Sequence, residues 1–432
     1  NNTIEYSGGA QTVLNPIGPG TDTGYHKLIL SGNGNKTMPT TALYIADELK
    51  LVGPVTATAQ SPLSIGVELE ILEDATFATG NFDHTVGGPF DNRGTFIASS
   101  GSTITLNGTS VQEIYGDTPT TFEKLIINNP AGVNIITDAT VNDTLTLTSG
   151  NLNVQLTNLT INGSITKTAG FINTTAQSSL TFGGTTALSL ASNLFATTPN
   201  INNLTINRTG GVEFCCDFTV NGIVDLQSAN PSATKGALDL GTNTLLMGAT
   251  ATNIGIGDVT GYIKRTILLP NIEYTFGHEF TSVTFPNIGT LPTETTLKVS
   301  IGTAPTWKTD GIKRVYDISH VGGSDTKATI KSHYLDSELN GNEEINLSFF
   351  AYVFPTSTLL DRGITEINTT ENWMTLNNAN YSNLPSDFGI IEHGAGVSTS
   401  NVITWDGSES TDWHDPYNWT PVYSPDSTKR EI

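Results

Sequence analysis

The chain has 432 residues, a formal net charge of −22 and a pI near 4.5, and only 14% of its residues are charged. This acidic excess argues against nucleic acid or an anionic membrane surface as a partner, and no apolar run is long enough to predict membrane insertion. The hydrophobic content of 37% excludes a disordered chain, and two cysteines are too few for a disulfide scaffold or a cysteine-rich zinc site.

The first predicted element is a cassette of short strands that occurs three times before residue 260. The copies cover residues 3–51, 103–152 and 179–226. Within them, leucine, isoleucine or valine alternates with threonine, asparagine and aspartate, which is typical of half-buried strands. A leucine precedes the next apolar run by 17, 16 and 16 residues, from Leu28 to Ile45, Leu125 to Val141 and Leu204 to Val220.

Such a cassette, of about 45 residues, cannot bury its apolar face alone and has to stack on its neighbours. We therefore expect residues 1–260 to form a right-handed parallel β-helix, in which each imperfect cassette supplies about two coils. In this register Leu145 and its counterparts Leu49 and Val224 point into the core, whereas Thr146 faces solvent. An array of β-sandwiches is the alternative.

Longer and more aromatic strands follow in residues 261–398. They alternate with turn-rich loops, which predicts an antiparallel, immunoglobulin-like β-sandwich. No helical periodicity of any length occurs in the chain. The predicted strands of this region are at 262–267, 274–276, 296–301, 312–318, 328–334 and 345–354.

Residues 399–432 are interpreted as a tryptophan-rich linker and the start of a further module. Four carboxylates fall within a span of ten residues in a Gly- and Ser-rich loop. Hard oxygen ligands at this spacing suit Ca²⁺. Calcium is the one cofactor that the sequence suggests, and a solvated acidic loop is the alternative. The candidate ligands are Asp406, Glu409, Asp412 and Asp415.

The adjacent cysteines, Cys215 and Cys216, are predicted to be two free thiols. Neighbouring side chains of a strand point to opposite faces, and a disulfide between neighbours is strained. We expect one thiol to lie in the core beside Phe214 or Phe218. A redox or metal-binding pair is the alternative.

The sequence predicts no catalytic site. Parallel β-helices that cleave polysaccharides need basic and acidic groups that converge on one face, but the lysines and arginines before residue 260 are scattered singly. The seven histidines show no metal-ligand spacing, so we interpret them as surface or hydrogen-bonded residues. We therefore expect that the chain is not an enzyme, and a carbohydrate-active β-helix is the alternative.

The strings NGTSVQEI, FEKLIINN and TVNDTLTLTSGNL, followed by GYIKR and IKRVYDI, resemble the repeat modules of giant adhesins from Bacteroidetes. This family is related to gliding-motility adhesins and exported by type IX secretion. The resemblance implies a structural stalk at the bacterial cell surface, with neighbouring modules of the same polypeptide and surface polysaccharide as partners. It also marks Thr144, in the triplet Asp-Thr-Leu, as a candidate O-glycosylation site. Since the chain begins inside a repeat and ends inside a strand pattern, we expect a segment of a larger polypeptide.

Overall fold

The computed structural model describes residues 2–16, 24–353, 358–381, 387–392, 404–405, 410–411 and 418–420. Their regular secondary structure is almost entirely β-strand, as the sequence predicts, with two single turns of 3₁₀-helix. The chain divides into two compact units, residues 1–220 and 221–432. The border between them lies inside the range that the sequence assigns to the β-helix.

The first unit is built from short strands joined by turns. Its strands are β1 (Thr3–Tyr6), β2 (Gln11–Thr12), β3 (Lys27–Leu30), β4 (Gly34–Thr37), β5 (Leu43–Ile45), β6 (Leu49–Leu51), β7 (Val55–Thr58), β8 (Leu63–Ile65), β9 (Leu69–Ile71), β10 (Thr76–Ala78), β11 (Asp83–Val86), β12 (Phe90–Asn92), β13 (Thr95–Ile97), β14 (Thr103–Leu106), β15 (Gln112–Tyr115), β16 (Thr120–Asn128), β17 (Val133–Ile135), β18 (Ala139–Ser149), β19 (Leu152–Val154), β20 (Asn158–Ile161), β21 (Ser164–Lys167), β22 (Ile172–Asn173), β23 (Ser179–Gly184), β24 (Leu188–Ser189), β25 (Asn200–Ile201), β26 (Asn203–Arg208), β27 (Val212–Glu213) and β28 (Phe218–Val220).

These strands coil into a parallel β-solenoid, as predicted. A first sheet has the order β1-β3-β6-β9-β12-β15-β17-β19-β22, and a second has the order β2-β4-β7-β10-β13. A third sheet runs through β5, β8, β11, β14, β16, β18, β20, β23 and β26, and β21 also pairs with β18. The chain therefore adds one strand to a sheet, crosses to the next sheet, and returns to the first sheet in the following coil.

The structural repeat is the single coil. Ile104, Leu125 and Leu145 stack in register on successive strands at intervals of 21 and 20 residues. The three predicted cassettes do not begin at equivalent positions of the coil. Leu28 lies in the first sheet, whereas Leu125, its counterpart in the second cassette, lies in the third. The same apolar alternation fills every inner face, so the sequence pattern alone does not distinguish the sheets.

The core lies inside the coils, at the positions that the alternation predicts. Leu49, Leu145 and Val224 are all 0% exposed. The corner between β18 and β19 requires glycine, because Gly150 has φ +73° and a Cβ there would lie 1.7 Å from the Asn129 carbonyl oxygen. Buried aromatic rings also contribute to this core, and Phe90 packs against Phe122 with 5.3 Å between the ring centroids.

The second unit begins with strands of the same short type and continues with longer ones. Its elements are β29 (Ile223–Leu226), β30 (Leu238–Met247), β31 (Thr252–Gly255), β32 (Val259–Arg265), β33 (Glu273–His278), β34 (Thr281–Thr284), β35 (Glu294–Ile301), β36 (Arg314–Val321), β37 (Lys327–His333), the 3₁₀ turns Asp336–Glu338 and Glu344–Asn346, β38 (Leu347–Val353), β39 (Thr358–Gly363), β40 (Glu366–Asn368), β41 (Trp373–Asn380), β42 (Asp387–Glu392), β43 (Thr404–Trp405) and β44 (Trp419–Thr420).

Strand β32 has a different kind of strand pairing on each of its two edges. It pairs in parallel with β30 on one edge and antiparallel with β35 on the other. Beyond β35 the sheet continues antiparallel through β36, β42, β38 and β39, and a second antiparallel sheet has the order β33-β34-β37-β41-β40. The change from parallel to antiparallel pairing thus takes place across one strand.

Side chains from the two antiparallel sheets contact each other. The hydroxyl of Tyr381, which follows β41, hydrogen-bonds to Thr295 of β35 over 3.2 Å. The ring of Tyr381 also packs edge-on against Phe285, with 4.9 Å between the centroids. The buried hydroxyl of Tyr316 donates to the backbone oxygen of His333.

Candidate functional site

The structure describes one of the five candidate residues that the sequence suggests. Thr144 lies on β18 in an outward position, and its hydroxyl contacts the Asp143 carboxylate at 3.1 Å and the Ser164 hydroxyl at 3.2 Å. The four candidate calcium ligands, Asp406, Glu409, Asp412 and Asp415, lie outside the described residues.

A buried polar cluster in the second unit gathers five ionisable residues that are far apart in the sequence. Asp258 immediately precedes β32, and Arg314 begins β36. The strand ends of β33 and β37 supply two histidines, and the 3₁₀ turn after β37 supplies a glutamate. The members are Asp258, His278, Arg314, His333 and Glu338, and each is at most 5% exposed.

Arg314 occupies the centre of this polar cluster between two carboxylates. Its Nη1 and Nη2 donate to the two oxygens of Asp258 at 2.9 and 2.7 Å. Its Nε and Nη2 donate to the two oxygens of Glu338 at 2.7 and 3.0 Å. The guanidinium thus makes two bidentate pairs, the geometry in which arginine binds carboxylates most strongly.

The two histidines stack beside this ion network. Their rings are parallel within 3°, with 3.6 Å between the centroids. His333 Nδ1 lies 3.2 Å from Asp258 Oδ1, and the Phe280 amide donates to His278 Nδ1 at 3.1 Å. Since that bond occupies the lone pair of Nδ1, the neutral His278 ring carries its proton on Nε2.

Burial and the neighbouring charges shift the pKa values of the cluster. Burial alone raises the pKa of Asp258, but the charge and hydrogen bonds of Arg314 hold it well below its usual range. Burial opposes the charge of Arg314 too, yet Asp258 raises the pKa of the guanidinium above its usual value. Burial, followed by the proximity of His333, lowers the pKa of His278 to about 3.

Asp258, His278 and His333 each place a potential metal-ligand atom within 4.8 Å of the others. The hydrogen bonds do not favour a metal ion there. The Asp258 carboxylate already accepts from Arg314 and His333 and from Asn230 Nδ2 at 2.7 Å, which occupies about all of its lone pairs. His278 presents an N–H on its second ring nitrogen rather than a lone pair. The arrangement fits a closed ion and hydrogen-bond network that stabilises the fold.

The neutral state of His278 predicts a pH dependence of stability. Its pKa is about 3 in the folded chain and about 6.5 when unfolded, so the unfolded state binds the additional proton between these values. We expect this residue to remove about 1.4 kcal/mol of unfolding free energy for each pH unit below 6. Denaturant titrations at pH 7, 6 and 5 measure this slope.

The matched variant for this prediction is His278→Asn, whose side-chain oxygen can accept the Phe280 amide. It should lose less stability than the wild type between pH 6 and 5, and the two proteins should respond alike above pH 7. Parallel curves over the whole range would contradict a neutral, buried His278.

Two basic side chains of the first unit are buried and contact the backbone of the coils. Lys36 Nζ donates to the carbonyl oxygens of Gly8 and Gly9 at 2.6 and 2.8 Å. Arg208 donates to several carbonyl oxygens, including Asn162 at 3.1 Å and Gly163 at 3.0 Å. Burial lowers the pKa of both groups. These side chains satisfy strand-end carbonyls and do not face solvent.

Sequence reasoning missed the polar cluster because its members carry no local signature. They spread over residues 258–338, and each looks like an isolated polar residue at the end of a strand. One signal was present. An aspartate or arginine directly beside the apolar start of a strand tends to be buried with that strand, and a buried charge needs a partner. The partner of each group becomes identifiable only from the contact between the two antiparallel sheets.

Comparisons with models of known protein families, with functionally characterised proteins and with solved structures find no match to this chain. Among the described residues, none of the helical segments has the length and hydrophobicity needed to cross a membrane.

Proposed function

We propose that the chain is a structural stalk segment of a large secreted adhesin at a bacterial cell surface. In this role it extends and presents a binding tip for surface attachment or gliding, joins neighbouring modules of the same polypeptide, and is not an enzyme. We propose further that the solenoid is right-handed and that the antiparallel part is an immunoglobulin-like sandwich.

The outer surface of the solenoid supports this proposal most directly. One face carries a file of five threonines in register on successive strands, all of them partly exposed: Thr121, Thr140, Thr160, Thr181 and Thr205. A neutral hydroxyl surface of this kind is soluble and has no strong electrostatic attraction for other macromolecules. It suits a shaft that has to avoid adhesion along its length.

The backbone pairing of the first unit supports a mechanical role. Every strand pairing among its described residues is parallel and joins one coil to the next. Hydrogen bonds therefore run along the solenoid axis at the inter-strand spacing of about 4.8 Å. Such a structure resists bending, because a bend has to stretch many of these bonds at once.

Rigidity can be measured by the distance between two spin labels on the outer face. Tyr44 and Thr166 are exposed and occupy the same file, six strand steps apart. At about 4.8 Å for each step, we expect a backbone separation of roughly 29 Å with a narrow distribution. Pulsed electron resonance on Tyr44→Cys/Thr166→Cys, in a background with Cys215 and Cys216 replaced by serine, measures it.

The control pair is Tyr44→Cys/Thr146→Cys, which spans one step less and should give a distance shorter by about 4.8 Å. A broad distribution for either pair would argue against a rigid spacer. Release of reducing or unsaturated ends from acidic polysaccharides would favour a carbohydrate-active protein instead.

A groove in the first unit favours glycan binding as the second candidate function. Asn153 Nδ2 donates to Asn134 Oδ1 at 2.9 Å, and Asn173 Nδ2 donates to Asn153 Oδ1 at 2.8 Å. This amide row borders a groove of about 450 Å³ beside the exposed Leu156. Amides pair well with sugar hydroxyls. Saturable binding of a neutral oligosaccharide that Asn153→Ala abolishes would support this function.

A further inference from the structure

The two adjacent cysteines lie in a bend between β27 and β28 and not within a strand. The expectation that their side chains point to opposite faces is therefore wrong, because it depends on extended strand geometry. Cys215 Sγ and Cys216 Sγ lie 3.7 Å apart, and both residues are partly exposed. Both are free thiols, as predicted, but neither is fully buried.

An aromatic stack holds this bend in place. Phe214, which directly precedes the thiols, is 1% exposed and stacks on Phe218, with 4.0 Å between the ring centroids. The Phe214 ring also stacks on Phe195, with 5.8 Å between the centroids. The strands on both sides of the bend pair in parallel with the preceding coil. Core packing and strand pairing thus hold the backbone on both sides of the two cysteines.

The observed spacing suits a shared ligand better than a bond between the sulfurs. A disulfide requires an S–S distance of about 2.05 Å, and the Cα atoms of adjacent residues are only about 3.8 Å apart, below the usual disulfide range. Two sulfurs that bind one ion at about 2.3 Å each can be separated by up to about 4.6 Å. The gap of 3.7 Å lies within that limit.

The surroundings of the thiols favour a cation. Glu213 and Asp217 flank the pair in sequence, and both are exposed carboxylate residues. Their negative charge attracts a cation to the neighbourhood of the two sulfur atoms.

We propose that Cys215 and Cys216 together bind one soft, thiophilic metal ion of the Cu(I) class, which accepts two sulfur ligands. Thiolates select soft ions over the hard cations that carboxylates prefer. Binding replaces the thiol protons with the metal and releases them to solvent, so no electron transfer is involved. The site is independent of the stalk function, because it depends only on the bend and its aromatic support.

The test uses the full chain in its reduced form, with Cu(I) supplied anaerobically in competition with a chromophoric chelator. We expect uptake of one Cu(I) for each chain and a sulfur-to-metal charge-transfer absorption. Affinity should rise with pH, because the ligand thiols must lose their protons. Thiol titration of the same sample should fall from two reactive groups to none when the ion is bound.

The variants Cys215→Ser and Cys216→Ser should each weaken Cu(I) binding at least tenfold, and the double variant should abolish the charge-transfer band. Circular dichroism and the melting temperature check that each variant keeps its fold. Ser228→Ala, which changes neither cysteine, is the control and should bind Cu(I) as the wild type does. Wild-type affinity in either single variant, or uptake by the double variant, would overturn the proposal. Isolation of the chain with the two cysteines already joined would overturn it as well.

Discussion

Replacement of Leu145 by aspartate is expected to lower the free energy of unfolding by about 5 kcal/mol or more. Leu145 is 0% exposed and stacks in register on Leu125 of the preceding coil. The substitution removes the buried side chain, which costs about 2–5 kcal/mol, and adds the burial of a carboxylate without a partner. Because total stability is commonly about 5–15 kcal/mol, a large part of the population should unfold. Urea denaturation followed by circular dichroism measures the change.

The neighbouring variant Thr146→Asp is the control for this experiment. Thr146 points outward, and its hydroxyl hydrogen-bonds to Thr166 over 2.8 Å. Loss of that bond at a solvated position should cost about 1 kcal/mol. Leu145→Ala is a milder core variant, for which we expect about 3 kcal/mol. Equal losses for the two aspartate variants would contradict the assigned register.

The second large effect is expected for Arg314→Met. Arg314 is 0% exposed and holds Asp258 and Glu338, so its removal leaves two carboxylates buried without a counter-charge. Breaking a buried ion pair in this way costs about 3–5 kcal/mol. The stabilisation that the carboxylate of Asp258 contributes is present above about pH 3.9 and is lost below it, because its pKa is depressed in the folded state. Thermal and urea denaturation at pH 7 should show the loss in full.

An ion pair with one exposed partner provides the comparison. Lys308 Nζ lies 2.8 Å from Asp310 Oδ2, and the Asp310 side chain is 76% exposed, whereas that of Lys308 is 15% exposed. Lys308→Met should therefore change stability by less than about 1 kcal/mol, as is usual for surface pairs. Simultaneous replacement of Asp258, Arg314 and Glu338 by apolar residues of similar size should recover part of the loss. If Arg314→Met is as mild as Lys308→Met, the network does not stabilise the fold.

The solenoid could be predicted from the sequence because burial acts on it locally. A strand with one buried face has to alternate, and stacked coils have to repeat at about 20 residues, so Leu49, Leu145 and Val224 were assigned to the core correctly. The phase of the cassettes could not be obtained in this way. Leu28 and Leu125 carry the same pattern on different sheets, since every inner face makes the same demand for apolar residues.

The polar cluster and the cysteine bend could not be predicted, for two different physical reasons. Asp258 and His333 meet only because β32 and β37 belong to two different sheets whose side chains contact each other, and no short-range pattern encodes that contact. The sulfur atoms of Cys215 and Cys216 lie 3.7 Å apart because the alternation of a strand does not continue through them: β27 ends at Glu213. Periodicity identifies strands well but locates their ends poorly.

The two-sided pairing of β32 has a consequence for how this region melts. A parallel coil that ends without a neighbour exposes a row of unpaired amides and carbonyls, which recruits other chains into aggregates. Here β35 covers that row by antiparallel pairing. Loss of the antiparallel sheet would uncover the edge of the last coil, and loss of that coil would remove the template for β35. The two parts of the second unit should therefore unfold as one cooperative block rather than as a frayed end and a separate sheet.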